Sequence, residues 1–166
     1  MNPKILVSAC LLGERVRYDG SAKPFESDLL RKWQQEGWVV PLCPEVAAGF
    51  AIPRPPAEIE AEFGGGDVLF GAARVFENSG RDVTESFLQA ARIAVSTATT
   101  KGCGYALLTD GSPACGSSFV YAGRYDGARK FGQGVVAAAL REIGVAVYAQ
   151  SEITHLAARL SMDAVR

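Results

Sequence analysis

Four cysteines and one histidine are the residues of this 166-residue chain best suited to unusual chemistry. The cysteines are Cys10, Cys43, Cys103 and Cys115, and the histidine is His155. A lone histidine excludes His-rich metal sites and leaves any catalytic triad one place for its base. No C-x-x-C pair occurs, so the usual zinc-finger grammar is absent. Cys10 to Arg15 is one residue short of a Cys-x5-Arg phosphate loop. There is no G-x-x-x-x-G-K-[ST] loop, and Gly13 to Gly20 carries no dinucleotide fingerprint.

The surroundings of three cysteines are more informative than their spacing. Cys10 is followed by Leu11-Leu12-Gly13, Cys43 lies between Pro41 and Pro44, and Cys115 lies between Pro113 and Gly116. Pro and Gly at such places indicate tight turns with exposed backbone N–H groups. Those groups hydrogen-bond thiolate and cluster sulfurs. An all-thiolate set favours zinc or iron–sulfur over magnesium or calcium. Three ligands leave a fourth position open, which is the catalytic arrangement. Three unrelated core cysteines are the competing reading of the same spacing.

The elements that must position these residues follow from the apolar pattern. Lys4 to Ala9, Trp38 to Leu42, Tyr105 to Thr109 and Val145 to Ala149 read as strands. Glu26 to Glu36 and Gln133 to Ile143 are amphipathic and end at Gly37 and Gly144. Asp82 and Glu85 look like a capping box opening a further helix, and Ser151 like the cap of the last one. Alternating strands and helices predict an α/β fold, a Rossmann-like parallel sheet with flanking helices. Residues 1–166 read as one domain, with a small β-hairpin insertion over 57–80. Gly111 to Gly127 reads as an irregular Gly/Ser-rich loop.

In such a sheet, ligands bind beyond the carboxyl ends of the strands. Cys10, Cys43 and Cys115 each follow a strand and can converge there. Cys103 precedes its strand, about 17 Å away along a five-residue run, and is expected to lie apart. His155 falls on the terminal helix and reads as a bystander.

Composition bounds the partners. The apolar fraction is 48% and the net charge is -1, which fits a folded core and argues against nucleic-acid binding. No apolar run approaches the ~20 residues of a membrane span. Met1 to Leu12 is too short for an export signal, so a cytoplasmic location with free thiols or metal ligands is expected.

Five segments, taken together, resemble a bacterial family of thiouracil desulfidases. They are Ser8-Ala9-Cys10-Leu11-Leu12-Gly13 with Arg17-Tyr18-Asp19-Gly20, Leu42-Cys43-Pro44-Glu45-Val46, Pro53-Arg54-Pro55-Pro56-Ala57-Glu58-Ile59, Gly80-Arg81-Asp82-Val83-Thr84, and Ser112-Pro113-Ala114-Cys115-Gly116. A Ser often stands in the family where this chain has Ala114. The resemblance implies a [4Fe–4S] cluster held by Cys10, Cys43 and Cys115, with the fourth iron open. It implies a non-redox conversion of a thiocarbonyl base such as 2-thiouracil to its oxo form, the sulfur taken up at that iron and released as sulfide. The implied partner is a small thiolated pyrimidine; the oligomeric state is left open.

Water attack needs a proton acceptor. Glu45, two residues past Cys43, is the candidate acid/base, and Ser112, three residues before Cys115, the candidate relay or positioning hydroxyl. A helix N-terminal carboxylate and a Ser-Pro turn are their ordinary alternatives. Arg54, rigid among prolines, fits either a pyrimidine carbonyl or an internal carboxylate. Asp19 reads as a turn residue. A three-cysteine zinc hydrolase acting on a small amide or base, and a non-catalytic metal-binding or redox-sensing module, stand as alternatives.

Overall fold

The computed structural model describes residues 2–166. Strand β1, Ile5–Ser8, is buried along its whole length. After α1, Asp28–Gln35, and β2, Val39–Leu42, come the short helix α2, Pro44–Ala47, and strand β3, Ala57–Ile59. Then follow α3, Gly65–Leu69; β4, Val75–Glu77; α4, Thr84–Lys101; and β5, Tyr105–Leu108. The chain continues through β6, Phe119–Tyr121; β7, Arg129–Phe131; α5, Val135–Glu142; β8, Ala146–Ala149; and α6, Ile153–Ala164.

Four strands form one parallel sheet in the order β2-β1-β5-β8. Alternation along these strands feeds two cores. Leu6, Ala106, Leu108 and Val147 face α3, α4 and α5, where Val68, Phe87 and Leu140 are buried. Ile5, Val7 and Leu107 face α1 and α6, where Trp33 and Leu156 are buried. Helices on both faces of a parallel sheet make the Rossmann-like layering expected from the sequence. Pro41 sits in β2, an edge strand, where a missing N–H costs no interior ladder bond. The chain reverses direction across the sheet between β1 and β5, and that is where a ligand crevice opens.

Two caps differ from expectation. Asp82 and Glu85 do not form a capping box. The Asp82 carboxylate instead accepts from the Thr84 N–H at 2.9 Å and from its hydroxyl at 2.6 Å, and Glu85 pairs with Arg92. Ser151 does not cap α6; it lies in a 3-10 turn, Gln150–Glu152, and Glu152 accepts from the Ala149 N–H. The excursion after residue 57 is an antiparallel pair, β3 with β4, whose connection contains α3. The loop expected to be irregular over 111–127 contains β6, which pairs antiparallel with β7.

Candidate active site

Cys10 lies in a 3-10 turn, Ala9–Leu12, that continues directly from β1. Gly13 closes the turn at φ 93°, a conformation that a side chain would strain, and donates its N–H to the Cys10 carbonyl. Lys23 N–H donates to the same carbonyl at 3.0 Å. Cys43 is the residue before α2, and Pro44 provides the first helical position. Its thiol donates to the Val16 carbonyl at 3.8 Å.

Cys115 is held by a loop fastened from inside and outside. Inside, Oδ1 of Asp110 accepts N–H bonds from Ser117, Ser118 and Phe119 at 3.0, 3.1 and 3.1 Å. Ser112 Oγ accepts from the N–H groups of Ala114 and Cys115 at 3.0 and 3.1 Å. Outside, the first N–H of α5 donates to Pro113 O at 2.8 Å and the second to Ala114 O at 2.9 Å. That contact needs Gly134, because a Cβ there would stand 2.4 Å from Ala114 O.

Glu45 projects from α2 and is 14% exposed; its partner Arg54 is 8% exposed. Arg54 Nη2 donates to Glu45 Oε2 at 2.5 Å and to Val16 O at 2.9 Å, and Nη1 donates to Ala51 O at 3.1 Å. The guanidinium also lies 5.8 Å from the Phe50 ring centroid. Of the two roles the sequence allows for Arg54, the structure shows the carboxylate pair. Asp19 makes a turn, accepting from the N–H and hydroxyl of Ser21.

Cys10, Cys43, Cys115, Glu45, Arg54 and Ser112 all line one cavity of about 750 Å³ at the carboxyl ends of the strands. Cys103 and His155 do not line it; Cys103 stands at the opposite end of β5, as its position before that strand requires. All four cysteines are free thiols.

Electrostatics inside the cavity disfavour ionised thiols and an ionised carboxyl. Burial pushes the Cys10, Cys43 and Cys115 thiols up. For Cys115 the charges of Glu45, Cys10 and Cys43 push further in the same direction, because like charges crowd one site. Burial raises the Glu45 carboxyl, and Arg54 pulls against it without fully offsetting it. Three thiols and a carboxyl can ionise together here only beside a cation, so the donor set fits a thiolate-bound metal or cluster.

Sequence reasoning did not single out Asp110, Ser8 or Thr109. The signal was an Asp directly past a strand and before Gly-Ser-Pro, an arrangement whose carboxylate collects turn N–H groups. It also missed the wall built by the β6–β7 hairpin, where the Phe119 and Tyr121 rings meet edge to face and Arg129 lies 4.4 Å from the Phe119 centroid.

The fold and site define a doubly wound α/β protein with a thiol-lined ligand site at the switch point of its sheet. The sequence model of the 2-thiouracil desulfurase family matches residues 5–152, and the chain belongs to that family. It is 40% identical over 152 residues to the uncharacterized protein YbbK of Bacillus subtilis, covering 92% of this chain and 99% of that one. Among solved structures it is similar to the [4Fe-4S]-dependent thiouracil desulfidase TudS, at 41% identity and a TM-score of 0.88. That match covers 97% of this chain and 99% of the other.

Proposed function

We propose that the chain is a [4Fe–4S]-dependent desulfidase that converts the C=S group of a thiolated pyrimidine such as 2-thiouracil to C=O. The observation that carries this reading is the convergence of Cys10, Cys43 and Cys115 with a buried Glu45 on one cavity. Family membership and the likeness to TudS support it. The three thiolates would hold the cluster, and a cluster held by three ligands supplies one open iron, a soft Lewis acid suited to a thiocarbonyl sulfur.

The remaining work falls to this chain. The net reaction adds the oxygen of water to the ring carbon and releases the sulfur as hydrogen sulfide, without an electron donor. Glu45 accepts a proton from the attacking water. Its burial moves its affinity for that proton toward neutrality, where a general base is most effective. Arg54 fixes the carboxylate by pairing with Oε2, on a residue that lines the cavity. The Ser112 oxygen is occupied as an acceptor, but its proton is free to donate to the substrate or the departing sulfur. Phe119 and Tyr121 offer ring faces and edges to a flat base.

Free thiols suit a reducing, cytoplasmic compartment. No helix of the described residues is long and apolar enough to cross a membrane.

The test is anaerobic turnover of 2-thiouracil in oxygen-18 water with no reductant. The expected result is one sulfide and one singly labelled uracil per substrate consumed. Substrate loss without sulfide, or turnover only with a reductant, contradicts the reading.

A further inference from the structure

The outer wall of the cavity is built from two small β ribbons that lie outside the main sheet, β3 with β4 and β6 with β7. Phe119, Tyr121, Tyr125 and Arg129 line the cavity from the second ribbon, and Glu58 lines it from the first. The two ribbons are anchored unequally. Ile59 and Val75, of β3 and β4, are fully buried in the core that also holds Phe87. Of the residues of β6 and β7 only Val120 is buried, and Phe131 is 98% exposed. A two-stranded hairpin is marginally stable in water by itself, so other ties must hold this one. At the tip, those ties run to the neighbouring ribbon. Glu58 Oε1 accepts the N–H groups of Gly123 and Tyr125 at 2.8 and 3.3 Å. The Tyr125 hydroxyl donates to the Phe76 carbonyl. Gly123 lies so close to β3 that a Cβ there would stand 2.6 Å from Ile59 O. Tyr125 is held at φ 56°, a left-handed conformation uncommon for a bulky residue. Glu58 has no part in the chemistry described so far.

We propose that the β6–β7 hairpin is a lid over the substrate cavity, and that Glu58 is the positioning residue that latches it. The proposal rests on the reading of this cavity as the substrate site of a desulfidase. The base of the lid is fixed, because Asp110 accepts from the Phe119 N–H and the Gly132 N–H donates to Ser118 O. The tip is held by one half-buried carboxylate and one exposed phenol, whose bonds water can replace at small net cost. Unlatching the tip moves Tyr121, Tyr125 and Arg129 away from the β3–β4 ribbon and opens the wall to an entering base. Latching closes the aromatic wall over the bound base. A ligand that needs the closed wall binds with an apparent affinity reduced by the fraction of molecules standing open. Glu58 acts through the hairpin, by accepting two N–H groups, and needs no charge to do so. Glutamine can take over both bonds, and alanine neither.

The experiment compares anaerobically loaded wild type, Glu58→Ala, Glu58→Gln and Tyr125→Phe by amide hydrogen exchange and by steady-state turnover of 2-thiouracil. Glu58→Ala should speed exchange over residues 119–131 and leave β1 and β5 as protected as in the wild type. It should raise KM about tenfold without lowering kcat. Glu58→Gln should match the wild type in both readouts. Tyr125→Phe, which removes one hydroxyl, should shift both in the direction of Glu58→Ala. Wild-type exchange over 119–131 in Glu58→Ala overturns the inference. So does a Glu58→Gln as impaired as Glu58→Ala, which would place the Glu58 charge on the substrate. If Glu58→Ala loses the fold or its iron, Tyr125→Phe decides, and wild-type exchange and KM in that variant overturn the inference. A wild type that releases no sulfide from 2-thiouracil contradicts the desulfidase reading instead, and the exchange comparison still decides the latch.

Discussion

The Arg54 guanidinium and the Glu45 carboxylate form a nearly dry ion pair at 2.5 Å, and the same Arg54 nitrogen also grips the Val16 carbonyl that Cys43 uses. One arginine therefore ties the candidate base to the loop that covers a candidate ligand. Breaking a buried pair from one side leaves an uncompensated charge, at a cost of about 3 kcal/mol. Arg54→Met is expected to destabilise the protein by about that amount in urea unfolding and, by removing the cation that opposes burial, to push the Glu45 carboxyl further up. Glu45→Gln keeps the hydrogen bond and should lower kcat by about 10²-fold or more while iron content stays at the wild-type level. Full activity in Glu45→Gln would remove Glu45 from the chemistry.

Ser112 serves Cys115 first. Its oxygen accepts two N–H groups of the turn that presents the thiol. Ser112→Ala should cost about 1 kcal/mol and shorten the half-life of iron against a chelator, and Ser112→Thr should restore it. A slower turnover with unchanged iron retention would assign Ser112 to the substrate instead.

The Asp110 loop should be sensitive to acid. Burial raises the Asp110 carboxyl, but hydrogen bonds from the Ser118 side chain and from the N–H groups of Phe119, Ser118 and Ser117 outweigh it, so its pKa lies below the ordinary 3.8. A depressed folded-state value stabilises the fold above the unfolded pKa, and that stability disappears as pH falls through the folded one. Asp110→Asn is therefore expected to lose about 2 kcal/mol at pH 7, with the gap to wild type closing below pH 4. Equal differences at pH 7 and pH 3 in denaturant titrations would contradict this.

Close approach at Gly134 gives a steric test. A methyl group there meets the backbone oxygens of Ala114 and Pro113 at 2.4 and 2.6 Å. Gly134→Ala should displace the Cys115 turn, destabilise by about 1–3 kcal/mol and reduce iron loading. Gly66→Ala, where nothing lies within 4 Å, is the control and should be neutral or stabilising. Equal thermal shifts for the two variants would show that the turn tolerates the intrusion.

The sheet was legible because its central strands are short continuous apolar runs, such as Ile5-Leu6-Val7, buried on both faces. Those strand ends carried the grouping of Cys10, Cys43 and Cys115 and the separation of Cys103. The β6–β7 pair was not legible, because three residues between glycines give too little alternation to read. The Asp82 cap was misread because Thr84 offers both an N–H and a hydroxyl one residue nearer than Glu85. Asp110, Ser8 and Thr109 act through contacts between strands far apart in sequence, and no local pattern reports such contacts.

Metal and colour across a cysteine series test the central claim most directly. Wild type and Cys103→Ser, prepared anaerobically, should each be brown and hold about four irons per chain. Cys10→Ser, Cys43→Ser and Cys115→Ser should each lose most of that iron. A colourless wild type holding a single zinc, or iron lost from Cys103→Ser and retained in Cys115→Ser, would contradict it.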